Sequence, residues 1–182
     1  MISQDLIERC KRKERLAFKQ CYEQSAPYVY TIIKNYLFDE AARQDAMQES
    51  FANIFNAIDS YDETRGLFKS WIARITINQC IGILRKSKKL NLFVPLDEQH
   101  MDIRHELDHM ESIKSEEIKI LLEKMPSGYR TVFLLSVIDG YSHKEIGKLL
   151  NISAETSRSQ LFRAIKWIKK NHLVHLKNYI YG

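Results

Sequence analysis

The side chains best equipped for chemistry in this 182-residue chain are polar and gathered in one short stretch: Glu155, Thr156, Arg158, Ser159, Gln160 and Arg163. Their chemistry is recognition. An Arg guanidinium pairs with guanine or a phosphate, Gln meets adenine, and Ser and Thr hydroxyls reach base edges or phosphates. A second set, Phe68, Trp71, Arg74 and Asn78, interleaves aromatic and polar groups at helical steps. Such interleaving suits unstacked single-stranded bases, and it suits equally a core of aromatics flanked by surface polar groups. A third set, Asp45, Gln48 and Glu49 ahead of Phe51, fits a solvated face or a docking face. No Ser/His/Asp set or phosphate-binding loop is present, so a non-enzyme without cofactor is expected. Cys10, Cys21 and Cys80 form no CxxC or Cys/His cluster, and His172 and His175 have no Cys or carboxylate nearby. No metal site is expected, and the odd cysteine count fits a reducing compartment.

These residues need elements to hold them. Ser142-His143-Lys144-Glu145 is a capping box that opens a short helix with Ile146, Leu149 and Leu150 inward. Asn151-Ile152-Ser153 makes a tight turn, in which Asn tolerates a left-handed backbone, Ile152 anchors the turn and Ser153 caps the next helix. That helix runs from Ala154 to about Lys170. Ser157, Leu161, Ala164, Ile165 and Ile168 face inward, and the recognition set above faces out. Two short helices with such a turn form a helix-turn-helix with the dimensions of the major groove. Lys166, Lys169 and Lys170, further along, add sequence-independent attraction.

Upstream, residues 5–23 read as one broken helix or two short ones, and Ser25-Ala26-Pro27 reads as a helix start. Asp39 caps the next helix, whose apolar positions include Ala46, Phe51, Ile54 and Ile58. A polar loop, Asp59 to Gly66, precedes a fourth helix from Phe68 to about Lys86. Pro126-Ser127 restarts a helix that Gly140 ends in a left-handed conformation. No useful stretch alternates with period two. The fold expected is all-α, two small helical domains joined by a flexible linker, with boundaries at 1–86, 87–115 and 116–182.

Charge is uneven along the chain. Residues 124–182 carry 10 Lys and Arg against 3 Asp and Glu, whereas residues 97–123 carry 9 acids against 3 bases. A basic end suits a polyanion. The charged N-terminus excludes a signal peptide, and no apolar run is long enough to span a membrane, so a soluble cytoplasmic protein is expected.

Taken in order, these pieces resemble the extracytoplasmic-function (ECF) group of the sigma-70 family of RNA polymerase sigma factors. The resemblance covers roughly residues 6–86 and 116–170. It rests on Asp45-x-x-Gln48-Glu49-x-Phe51, Phe68-x-x-Trp71-Ile72-x-Arg74-Ile75-x-x-Asn78, Tyr141-Ser142-x-x-Glu145-Ile146-Gly147, and Ile152-Ser153-x-x-Thr156-x-Arg158-Ser159-x-Leu161-x-Arg163-Ala164. It implies that Asp45, Gln48, Glu49 and Phe51 dock on core RNA polymerase. It implies that Arg65, Phe68, Trp71, Arg74 and Asn78 serve the melted −10 element, where the loop and helix hold a flipped base. It implies that Ser142, Ser153, Glu155, Thr156, Arg158, Ser159, Gln160 and Arg163 serve the −35 duplex. It also implies a linker threading near the RNA exit path and an anti-sigma factor as partner. Two positions depart from the family: Ser157 replaces a branched apolar residue, and Gln160 stands where a basic residue is common. The alternative from the residues alone is a stand-alone helix-turn-helix transcriptional regulator.

Overall fold

The computed structural model of the chain describes residues 2–87, 90 and 115–181, with side chains described within these except at 115–119 and 173–181. Among the described residues there is no strand. The chain divides into two compact units, Met1–Ser87 and Lys88–Gly182. Most of the expected linker, and any order within it, lies outside the described residues.

The first unit holds α1 (Gln4–Lys11), α2 (Arg15–Tyr36), α3 (Glu40–Ala57) and α4 (Phe68–Lys86). Helix α1 stops because Lys13 adopts a left-handed φ of 62°. The helix after it is longer than the sequence suggests: Ser25 and Pro27 lie inside α2, not at a start. Its buried stripe of Ala17, Cys21, Ser25, Val29, Ile32, Ile33 and Tyr36 crosses the proline without losing register. Pro27 sits on the exposed side, where the hydrogen bond it cannot make is cheapest to lose, and Ser25 turns its hydroxyl onto the Cys21 carbonyl one turn back. Tertiary burial thus outweighs two local stop signals. Asp39 caps α3 as expected, accepting from the Ala42 amide at 2.9 Å. Helices α2, α3 and α4 pack against one another, and α1 packs on α2. The loop between α3 and α4 is two 3-10 turns, Ile58–Ser60 and Glu63–Arg65.

The second unit holds α5 (Ser115–Lys124), α6 (Ser127–Phe133), α7 (His143–Leu150) and α8 (Ala154–Tyr181). Helix α6 widens into one π turn, Leu134–Ile138, and the chain then reverses at Gly140, whose φ is +72°. Arg130 is buried, only 6% exposed. Its Nη1 donates to the carbonyls of Met125 (3.2 Å) and Leu122 (3.4 Å), so it caps the end of α5. Burial lowers its pKa to about 10, so it stays charged at neutral pH. Sequence reasoning passed over this residue. The core is closed by Val132, Phe133 and Leu135 against Leu161, Ala164, Ile165 and Ile168.

Candidate nucleic-acid interface

The loop before α4 is built around Tyr61. This side chain is buried beneath a run of exposed polar residues, and its hydroxyl donates to the Gly66 carbonyl at 3.1 Å. Its ring meets Phe68 edge-on with centroids 5.0 Å apart and leans on Trp71 at 5.6 Å. Asp62 accepts from the Thr64 amide at 2.9 Å and from its hydroxyl at 2.7 Å. The Thr64 hydroxyl, then its amide, holds the Asp62 carboxyl below its ordinary pKa. Gly66, at φ +145°, takes a conformation that side-chain-bearing residues rarely adopt. Above this frame opens a cavity of about 520 Å³ lined by Ser60, Tyr61, Asp62, Arg65, Gly66, Leu67, Ser70, Trp71 and Arg74.

The structure therefore brings Arg65, Trp71 and Arg74 to one cavity. Asn78 is exposed one turn further along α4 and does not line it. Phe68 is a correction. It is 6% exposed and stacks under Trp71 with centroids 5.5 Å apart, because the loop needs an apolar floor. It supports Trp71 from below and is not part of this cavity's lining. Ser70 was missed, and Ser60 and Tyr61 belong to the loop that the resemblance assigns to the flipped base but were not singled out within it. Tyr61 was legible, being the one aromatic in an otherwise polar loop.

On α3, Asp45, Gln48 and Glu49 are all exposed. Positions 45, 48 and 49 fall on one side of a helix, so they form a continuous polar face. Phe51 does not belong to it. It is 4% exposed and packs its ring on Tyr22 (4.5 Å) and Phe55 (5.7 Å). Its position is on the buried stripe with Ala46, Ser50 and Ile54, which corrects its assignment as a contact residue.

The caps and the left-handed turn of the helix-turn-helix match their sequence reading. The capping box is complete, with Ser142 N–H donating to Glu145 Oε2 at 2.9 Å and Glu145 N–H to Ser142 Oγ at 3.3 Å. Asn151 is left-handed at φ 56°. Ser153 caps α8, accepting from the Thr156 amide at 3.0 Å. Ile152 is only half-buried. The turn closes through Gly147, whose carbonyl accepts from the Ile152 amide at 3.0 Å. A Cβ on Gly147 would stand 2.8 Å from the Ile152 carbonyl oxygen, so the two segments meet backbone to backbone.

Along α8, Glu155 and Arg158 are exposed, and Arg158 Nη2 donates to Glu155 Oε1 at 2.6 Å. The Glu155 carboxyl is held below its ordinary pKa by its own backbone amide, the Ser153 hydroxyl and Arg158. Thr156 and Arg163 are half-buried. Ser159 and Gln160 are buried, which corrects the expectation that they face out. Gln160 lies three residues after Ser157 and four before Ala164, on the same stripe that packs the core. Ser159 lies on the opposite side, and the α6–α8 core does not account for its burial.

With this geometry in place, residues 21–90 match the family of sigma-70 region 2, and residues 115–168 match that of sigma-70 region 4. The chain belongs to the sigma-70 family, in its ECF group. The ECF RNA polymerase sigma factor SigW of Bacillus subtilis is 27% identical over 93% of this chain and 96% of its own length. SigE of Mycolicibacterium smegmatis, also an ECF sigma factor, is 25% identical over 81% of this chain, which spans 58% of that protein. Two solved structures share the fold at a TM-score of 0.51. One is the sigma factor RpoE in complex with the anti-sigma factor NepR from Bartonella quintana, 17% identical over 84% of this chain and 94% of that one. The other is CnrH in complex with the cytosolic domain of CnrY, 21% identical over 93% and 96%. The loop cavity falls inside the region 2 match and the helix-turn-helix inside the region 4 match. No described helix of this sigma factor is long and apolar enough to cross a membrane, and no described His, Cys, Asp or Glu cluster could hold a metal ion.

Proposed function

We propose that this chain is a dissociable specificity subunit that docks on core RNA polymerase in the cytoplasm and directs it to promoters. The observation that carries this reading is the presence in one chain of a cationic–aromatic cavity within region 2 and a complete helix-turn-helix within region 4. Helix α8 enters the −35 major groove with Thr156, Arg158 and Arg163 toward the duplex, and the caps Ser142 and Ser153 lie at its backbone. The cavity at Arg65, Trp71 and Arg74 takes a flipped base of the melted −10 strand. Trp71 offers a stacking surface and the two arginines offer phosphate or base contacts. The exposed Asp45–Gln48–Glu49 face docks on the polymerase.

No bond is made or broken by this chain in that scheme. Melting is driven by binding the single strand, so duplex opening costs less in the complex than in free DNA. The two solved neighbours are complexes, one with a protein named an anti-sigma factor. An anti-sigma partner for this chain fits that company. The decisive experiment mixes the purified chain with core RNA polymerase and follows co-elution and promoter-specific run-off transcription. Co-elution with discrete transcripts is the expected result. A chain that binds duplex DNA but never core polymerase would be a stand-alone regulator.

A further inference from the structure

Ser157 places a hydroxyl in the core of the second unit, and the structure shows what holds it there. The residue is fully buried on the inward stripe of α8, beside Leu161, Ala164 and Ile165. A buried hydroxyl with no partner costs free energy. Here it is hydrogen-bonded to His143 Nδ1 at 2.8 Å. His143 is the first residue of α7, half-buried, directly after the Ser142 cap. The contact therefore bridges the two helices of the helix-turn-helix at their N-terminal ends. On α8 it stands between Thr156, which is tied to the Ser153 cap at 3.1 Å, and Arg158.

A branched apolar side chain at 157 would fill the same space, but apolar contact has no direction. A hydrogen bond fixes both distance and angle. We infer that His143 is a positioning residue for −35 recognition: by holding Ser157 it sets the rotation of α8 about its own axis, and so the aim of Thr156 and Arg158. Burial and the neighbouring Arg158 charge lower the His143 pKa, so its ring stays neutral at pH 7 and is not itself a cationic contact. Of the carboxylates nearby, Glu145 is taken up by the Ser142 cap and Glu155 by Arg158. The inference rests on α8 being the duplex-reading helix, and not on polymerase binding.

The test selects duplexes from a random pool with the full chain, with and without core RNA polymerase. It then measures the affinity ratio between the selected duplex and one with its −35 half scrambled. Four variants are compared: H143L, H143Q, H143N and S157A. Asn places a polar atom the same number of bonds from the backbone as Nδ1, whereas Gln places it one bond further. H143L, H143Q and S157A are expected to lower the ratio about two- to tenfold, the weight of one hydrogen bond. H143L combined with S157A should do no worse than the worse single change, and H143N should restore the ratio. A lowered melting temperature with an unchanged ratio would make the contact merely structural and sink the inference. So would a loss that H143N fails to repair, or a pool that yields no preferred duplex in either setting. Co-elution with core polymerase decides the sigma reading separately, so the two can fail independently.

Discussion

Single residues carry the sharpest expectations. Gly147 has no room for a methyl group, because a Cβ there would stand 2.8 Å from backbone that cannot swing away. Gly147→Ala should cost the second unit about 1–3 kcal/mol, read as a drop of several degrees in its thermal melt. The Cys10 and Cys21 thiols contact each other in the first unit's core, and burial pushes Cys21 up to about 12. At pH 8 that leaves roughly a thousandfold less thiolate than in an ordinary cysteine. Alkylation of Cys21 should therefore be very slow in the native chain and rapid in denaturant, as peptide mass mapping will show. His143 carries a pH expectation. Its folded pKa lies below the ordinary 6.5, so its contribution to stability is full above that pH and is lost as pH falls below it. The melting temperature of the wild type should fall more between pH 7 and pH 5 than that of H143N. At this scale the sequence was legible at most of the caps and left-handed turns. Asn151 and Gly140 take the left-handed conformations that their types suggest, and Ser142, Ser153 and Asp39 cap as read. It failed where residue type was allowed to outrank position. Gln160 looks like a reader of bases, yet the same 3.6-residue arithmetic that found Leu161 and Ala164 puts it in the core. The His143 and Ser157 pair joins residues 14 apart across two helices, and no local pattern announces such a pair.

Elements were legible when their buried stripes were continuous. The stripe of α3 was read correctly, and that of α7 except for Leu149, which is half-buried, but α2 was cut at Ser25-Ala26-Pro27 by signals that hold only when no stronger packing opposes them. Seven buried positions, on both sides of the proline, supply that packing. The cavity before α4 was only half-visible. Its basic and aromatic members stood out, but the frame of Tyr61 beneath them arises from packing between the loop and α4. The element-level prediction separates two surfaces. Arg74→Ala should weaken binding of a melted −10 oligonucleotide by the holoenzyme and flatten its salt dependence by roughly 0.7 in log–log slope, the share of one single-strand phosphate contact. The first unit's melt should stay within about 0.5 kcal/mol, as for other surface substitutions. Replacing Asp45, Gln48 and Glu49 together by alanine should do the reverse, lowering co-elution with core polymerase and sparing duplex binding by α8.

At the scale of the molecule, each unit has its own apolar core, and the loop cavity and the helix-turn-helix each lie within one unit. A fragment of residues 1–87 should therefore keep its helical circular dichroism and melt cooperatively without the rest of the chain. The basic second unit, expressed alone, should hold duplex DNA with a steep salt dependence that the first unit lacks. The closed loop has a consequence for how a promoter is opened. The bond from Tyr61 to the Gly66 carbonyl turns residues 61–66 into a ring, and Asp62 and Thr64 brace it from within. The walls of the cavity are thus assembled when the protein folds, long before any strand arrives. A mobile loop would have to be ordered by the incoming base, and the free energy so used could not help to unpair DNA. On the function proposed above, the entropy of shaping the receptor has already been lost when the chain folds, so the contact energy of the captured base is left for separating the strands.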